Sequence, residues 1–334
     1  MTLNSTKMLF GSMLIFSTMI TLSSNNWLGM WMGLEINLMS FIPLISKNKN
    51  KKSSQAVMIY FLTQSIGSIT LLFSILMNSL TLMFPYNMME LTKVLMMIGL
   101  MIKVGAAPFH LWLPEMMANL NWIECLLLMT WQKVAPLIIM SSMIPNNWFM
   151  YMSIMLSSMI GGIGGLNQTS LRKILAYSSI NHLSWMMMFM SMNNFWYKYL
   201  IIYSMITTMI CLFLNMKNAY FINQLMSSSQ SMTEKFTCSI LFLSLGGLPP
   251  FLGFLPKWMV IQSMINSGLF MILFMMMMFS LLTLFYYLRM MTSYILFYST
   301  MNKFNQLTKI NYMFMCSTLM INMLLPILMM TGFF

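Results

Sequence analysis

Residues 99–114 read GLMIKVGAAPFHLWLP, and the fold turns on how that stretch is interpreted. Lys103 stands inside a long apolar run, GAAP follows within two residues, and His110 comes directly after. The segment is either a loop or a membrane helix interrupted for a purpose.

Composition decides between them. Hydrophobic residues make up 59% of 334 positions and charged residues 7%, with a mean hydropathy of +0.77. Soluble domains carry about 25% charged residues, so this chain cannot cover itself with a water-facing surface, and hydrocarbon must be its main solvent. The net charge of +12 then reads as lysines retained on one side of a membrane, with no nucleic-acid partner. The 50 methionines occur wherever Ile or Leu would serve. They read as lipid-facing and core filler, and the excess fits an organellar genome that decodes an extra codon as Met. Four dispersed cysteines, with no CxxC, HExxH or GxGxxG, support neither a disulfide framework nor a metal or dinucleotide site. The N-terminal apolar run lacks a small-residue cleavage signal and reads as a first span.

Working outward from the opening stretch, apolar segments of span length recur with short polar breaks. The pattern predicts an all-α polytopic membrane protein of eleven transmembrane helices, near 3–22, 27–45, 55–78, 90–118, 122–143, 148–166, 171–191, 195–217, 236–264, 268–291 and 308–330. Alternating the loops puts Lys7, Lys47, Lys49, Lys51, Lys52, Arg172, Lys173, Lys217, Lys235, Arg289, Lys303 and Lys309 on one side, and only Lys93 and Lys198 on the other. That bias places the N-terminus on the inner side and the C-terminus on the outer. The segment 218–235 reads as the one substantial polar loop, with Glu234 solvated.

Two spans are interrupted alike. The fourth contains KVGAAPFH and the ninth LSLGGLPPFLGFLPKW. Each is the fourth span of a five-span block, 1–5 and 6–10. An odd number of spans inverts the second copy, and interrupted helices at matching positions point to an ion site. The chain thus reads as a single domain, 1–334, of two inverted repeats, approximately 3–143 and 148–291, plus a C-terminal helix, 308–330.

Ionisable groups at membrane depth carry the functional reading. Glu35 lies mid-span, where a charge costs roughly 2.5–3.5 kcal/mol, so it must find a cation or a proton. Lys103 precedes the first break, whose unsatisfied carbonyls would help hold its ammonium. Lys133 is central in the fifth span, with Pro136 opening the helix three residues on. A Glu–Lys pair makes proton affinity adjustable by distance. Lys257 follows the second break. His182 shares a polar stripe with Ser178, Asn181 and Ser184, suited to ordered water and proton relay. His110 and Glu124 have weaker claims, at the break and beside the inner loop. Trp27, Trp31, Trp112, Trp122, Trp148 and Trp196 read as an interfacial belt. Metal binding by the histidines finds no completing ligand.

The stretches WLGMWMGLEINLMSFIPLI (27–45), GLMIKVGAAPFHLWLPE (99–115), LLLMTWQKVAPL (126–137), IGGIGGLNQTSLRKILAYSSINHLSWM (160–186) and LSLGGLPPFLGFLPKW (243–258) together resemble the antiporter-like membrane subunits of respiratory complex I, the mitochondrial NADH–ubiquinone oxidoreductase, in an insect-like form. The resemblance covers essentially 3–330. It implies a multi-pass subunit of the mitochondrial inner membrane, with the N-terminus in the matrix and the C-terminus in the intermembrane space. It implies Glu35 and Lys103 as the coupled pair, Lys133 as central proton carrier, His182 as intermediate station and Lys257 as the group passing protons outward. NAD, FMN, iron–sulfur clusters and ubiquinone are implied in partner subunits, with no cofactor on this chain. The partners implied are other membrane-arm subunits, including a neighbouring antiporter-like one, and membrane lipids. Competing readings are a subunit of a multisubunit cation/proton antiporter and a non-pumping membrane scaffold.

Overall fold

The computed structural model describes residues 5–46, 51–80, 87–143, 148–192, 194–228, 231–296 and 311–326. Lys47, Lys49, Lys303 and Lys309, the break at 145–147 and the ends of the first and last expected spans lie outside the described residues. Among those described, the elements are α1 (Ser5–Ser23), α2 (Trp27–Ser46), α3 (Lys51–Leu80), α4 (Asn87–Val104), α5 (Trp112–Asn119), α6 (Trp122–Met129), α7 (Trp131–Ser142), α8 (Trp148–Gly164), α9 (Leu171–Ser191), α10 (Trp196–Lys217), α11 (Ile222–Ser228), α12 (Met232–Gly246), α13 (Phe254–Ser267), α14 (Phe270–Leu296) and α15 (Tyr312–Asn322). No strand occurs among them; a single antiparallel bridge joins Ser170 to Phe221.

The surface is inverted relative to a soluble protein. Met8, Phe16 and Met19 of α1, Phe61 and Ile69 of α3, and Phe270, Met271 and Phe274 of α14 are exposed. Ser17, Thr21, Ser157, Ser158, Thr207 and Thr283 are buried. The hydroxyls are satisfied within their own helices; Ser17 donates to Leu14 O at 2.7 Å and Thr283 to Ser280 O at 2.7 Å. Polar groups turned inward and paired locally are what a hydrocarbon solvent demands.

Among the described residues, six stretches are long and apolar enough to cross a membrane: Ser5–Ser23, Trp27–Ser46, Lys51–Asn78, Trp122–Ser142, Trp196–Lys217 and Phe270–Leu296. Eleven were expected. The segments at 90–118 and 236–264 divide into shorter helices at their Gly-Pro breaks, and α15 ends at Asn322, inside the span expected to reach 330. The fifth expected span is also divided, at Thr130, rather than opened by Pro136, which lies inside α7. The expected loop 218–235 contains α11.

The chain forms two compact units, Met1–Phe149 and Met150–Phe334. In the first, α2 packs on α1 and α3, α4 on α3 and α7, and α7 also on α1 and α2. In the second, α12 packs against α10, α14 and α15, and α9 against α10, α13 and α14. α9 is buried almost along its whole length, from Leu171 to Ser191.

Candidate functional site

In the first unit the break after α4 is set by Gly105, whose φ of 76° is the left-handed conformation that glycine adopts without strain. Pro108 follows with no N–H to continue a helix. Carbonyls freed at such a break need donors. The Ile102 carbonyl accepts from Trp112 Nε1 at 3.1 Å, and the Lys103 carbonyl from Gln64 Nε2 at 3.1 Å. The expectation that freed carbonyls would hold the Lys103 ammonium is therefore corrected, because long-range side chains take them. Trp112 and Trp122 are buried, not part of an interfacial belt; Trp112 closes the break.

With those carbonyls occupied, the buried Lys103 ammonium turns to Glu35. Nζ stands 3.6 Å from Glu35 Oε1, and the Glu35 side chain is 25% exposed. That separation is an ion pair beyond direct hydrogen-bond reach, so small shifts change its strength. Lys133, 2% exposed, lies in the first turn of α7. Lys103 and Lys133 line one cavity of about 20 Å³ together with Asn37, Tyr60, Gln64, Gln132 and apolar side chains. A polar cavity of that size holds about one water. The wall is hydrogen-bonded: Tyr60 OH donates to Gln132 Oε1 at 3.2 Å, and Gln132 Nε2 donates to Asn37 Oδ1 at 2.9 Å.

Lys103 and Lys133 thus share this cavity and Glu35 pairs with Lys103 beside it, whereas Glu35, His110 and Glu124 do not line it. His110 sits in the break, its Nδ1 3.2 Å from the Pro108 carbonyl oxygen. Glu124 caps its own helix, accepting from the Asn121 backbone N–H at 3.1 Å in a capping arrangement that needs no transport role. Asn37, Tyr60, Gln64 and Gln132 are not among the residues that the sequence singles out. Their signal was amides and a phenol inside otherwise apolar spans.

In the second unit the break follows Gly247, at φ 79°. Lys257, in the first turn of α13 and buried, reaches back and donates to the Gly246 carbonyl at 2.6 Å. His182 is buried mid-helix in α9. Its Nδ1 is 2.9 Å from Tyr199 OH, and its ring lies 4.9 Å from that of Tyr203. The flanking serines of the predicted stripe are buried, but Ser178 and Ser184 donate to the carbonyls of Leu175 and Asn181. Glu234, expected to be solvated, is 6% exposed and pairs with Lys217 at 2.8 Å. The chain turns back after α10, so the acid that begins α12 meets the last turn of α10. Among the described residues, no three His, Cys, Asp or Glu side chains gather as a metal site.

Comparison with known proteins agrees with this architecture. Residues 24–283 match the family described as NADH:quinone oxidoreductase/Mrp antiporter, TM. The chain is 45% identical over 310 residues to NADH-ubiquinone oxidoreductase chain 2 of Locusta migratoria, covering 92% of this chain and 91% of that protein. It is 47% identical over 313 residues to the protein of the same name from Anopheles gambiae, covering 91% and 89%. In fold it is similar to a chain of respiratory complex I from Thermus thermophilus with bound aureothin, at TM-score 0.86 and 20% identity, over 97% of this chain and 78% of that one. A chain of the Mrp complex from Dietzia sp. DQ12-45-1b aligns at TM-score 0.78 and 15% identity, over 89% and 62%. The chain therefore belongs to the NADH:quinone oxidoreductase/Mrp antiporter transmembrane family, among the proteins named NADH-ubiquinone oxidoreductase chain 2.

Proposed function

We propose that this chain is a core membrane-arm subunit of a proton-pumping NADH:ubiquinone oxidoreductase in the mitochondrial inner membrane. Its own residues move protons, and redox chemistry in partner subunits supplies the energy. NAD, FMN, iron–sulfur clusters and ubiquinone belong to those partners, and a neighbouring antiporter-like subunit adjoins this one. The chain spans the membrane eleven times, as two inverted five-helix repeats, 3–143 and 148–291, and a last helix, with its N-terminus in the matrix and its C-terminus in the intermembrane space. The lysine distribution supports that orientation.

The observation that carries the reading is the polar cavity shared by Lys103 and Lys133, with Glu35 3.6 Å from Lys103. A charge pair that closes or opens beside a buried lysine changes that lysine's proton affinity. A water in the cavity gives the proton a path between the two ammonium groups. Lys133 is the central carrier, loaded and unloaded as the Glu35–Lys103 pair loosens and tightens. In the second unit, His182 serves as an intermediate station and Lys257 as the group releasing protons outward. His110 and Glu124 have at most accessory parts near the inner side.

The test is Lys133→Met in the assembled complex, measuring protons pumped per electron with assembly verified on native gels. A lower ratio is expected, or a block of quinone reduction itself where pumping and electron transfer are tightly coupled. An unchanged ratio and rate in fully assembled complex would defeat the reading and leave a scaffold.

A further inference from the structure

The ion pair and Lys133 are linked by more than an electric field. Asn37 is two residues beyond Glu35 on α2, and Gln132 immediately precedes Lys133 on α7. The Asn37 amide oxygen accepts from Gln132 Nε2 at 2.9 Å, and the Gln132 amide oxygen accepts from Tyr60 OH at 3.2 Å. Both ends of the Gln132 amide are therefore held, one by α2 and the other by α3. Asn37 and Tyr60 are each 3% exposed, so neither has bulk water as a substitute partner.

The turn that carries Gln132 and Lys133 also opens at a discontinuity in its span. α6 ends at Met129 and α7 begins at Trp131, with Thr130 between them at φ −111° and ψ −70°. Lys133 N–H donates to the Thr130 carbonyl at 3.3 Å, and a Pro at 136 removes the donor that would bond the Gln132 carbonyl. A first turn so placed takes its orientation from side-chain contacts as well as from the helix backbone. The contacts on offer are the amide chain and the cavity wall.

We infer that Asn37, Gln132 and Tyr60 form a positioning clamp that ties the helix bearing Glu35 to the turn bearing Lys133, so that movement of the ion pair is passed on as a reorientation of Lys133. The inference rests on the proton-pumping reading above and adds to it three residues with a mechanical role. The titratable groups around the clamp are Glu35, Lys103, Lys133 and Tyr60 itself. Tyr60 acts as a donor in the neutral state, and none of the three needs to change charge. A shift of α2 away from α7 stretches the Asn37–Gln132 bond, and a shift toward it compresses the same contact. Its response is to move Gln132, and Lys133 with it, relative to the cavity.

The experiment compares Lys133→Met, Gln132→Leu and the double variant Asn37→Leu/Gln132→Leu in assembled complex, reading protons per electron alongside the rate of electron transfer. Gln132→Leu alone orphans the Asn37 amide, so any defect mixes folding with function. The double variant replaces that pair by apolar groups, and a parallel form that also carries Tyr60→Phe removes the hydroxyl that Gln132→Leu leaves without its acceptor. A clamp predicts that the double variant assembles, transfers electrons, and shows at least about half of the pumping deficit of Lys133→Met. A wild-type ratio in the assembled double variant overturns the clamp. If Lys133→Met is impaired while the double variant pumps normally, only the clamp falls; if Lys133→Met also pumps normally, the pumping reading falls with it. Should the double variant assemble poorly, Tyr60→Phe carries the decision. It removes one hydroxyl, and it must lower the ratio measurably for the clamp to stand.

Discussion

Lys103 and Lys257 both stand beside a Gly-Pro interruption, and they use it in opposite ways. Lys103 belongs to the helix that ends at its break. The carbonyls of that last turn are taken by Gln64 and Trp112, and the ammonium is left facing Glu35 at 3.6 Å. Lys257 belongs to the helix that starts after its break, and it donates to the freed Gly246 carbonyl at 2.6 Å. A carboxylate can take up a proton and swing on its side chain, whereas a backbone carbonyl can do neither. The first lysine thus has an adjustable partner and the second a fixed one. In a proton pump, adjustability belongs where energy arrives, and a fixed acceptor suits a station that must hold and release in one direction.

The largest effect expected from this asymmetry is at Glu35. Glu35→Gln keeps the shape and removes the charge, leaving Lys103 buried opposite a neutral amide. The pumping deficit should match that of Lys133→Met. A Glu35→Gln complex with a normal proton-to-electron ratio would mean that the two lysines do not differ in the way their partners suggest.

Part of this site was legible in the sequence. A carboxylate and lysines at membrane depth must have partners, and Gly with Pro announces a broken helix, so Glu35, Lys103, Lys133, Lys257 and both interruptions could be named. The partners of the freed carbonyls could not be, because Gln64 lies 39 residues from Lys103 in sequence and nothing local signals the pairing. Neutral amides such as Asn37 and Gln132 cost too little in a span to draw attention. The discontinuity at Thr130 carries neither Gly nor Pro. Its signal was Pro136, but a proline disturbs the turn before it, through the lost donor and the clash at i−4, so the opening lies N-terminal to the proline. Glu234 misled because TEK in a polar stretch resembles a solvated loop, and only the return of the chain onto α10 buries it.

The second unit does contain a carboxylate–ammonium pair, Lys217–Glu234, at the far end of α12 from Lys257. Its 2.8 Å contact is a direct hydrogen bond, unlike the looser Glu35–Lys103 pair. Lys217→Met should destabilise by about 3–5 kcal/mol, because it removes the ammonium paired with a buried carboxylate. Lys217→Met/Glu234→Leu should recover most of that loss. Thermal inactivation of the assembled complex measures both. If the recovered double variant also pumps normally, this pair is a static brace, and the contrast with Glu35–Lys103 becomes sharper. Next in size is Gln64→Leu, which leaves the Lys103 carbonyl without its donor and should cost about 1–3 kcal/mol in the same measurement. Pumping should fall only as far as Lys103 shifts. No loss of stability would show that the first break does not depend on this side chain.

The smallest effect gives the cleanest comparison, because the two breaks share a backbone device. Gly105 and Gly247 both hold left-handed φ angles, 76° and 79°, so alanine at either should cost about 1–2 kcal/mol through the backbone alone. What the added methyl meets differs. At Gly105 it approaches Leu113 Cδ1 at 3.0 Å and Trp112 Cζ2 at 3.2 Å; at Gly247 it meets Lys257 Cδ at 2.9 Å and Nζ at 3.0 Å. Gly247→Ala must therefore displace the Lys257 side chain that holds the Gly246 carbonyl, while Gly105→Ala presses on Leu113 and on the Trp112 ring and does not meet the Lys103 ammonium. At matched loss of thermal stability, Gly247→Ala should lower the proton-to-electron ratio and Gly105→Ala should not. Equal ratios in the two variants would mean that the Lys257–Gly246 contact is incidental to transport, and that a lysine beside a broken helix needs no fixed acceptor to do its work.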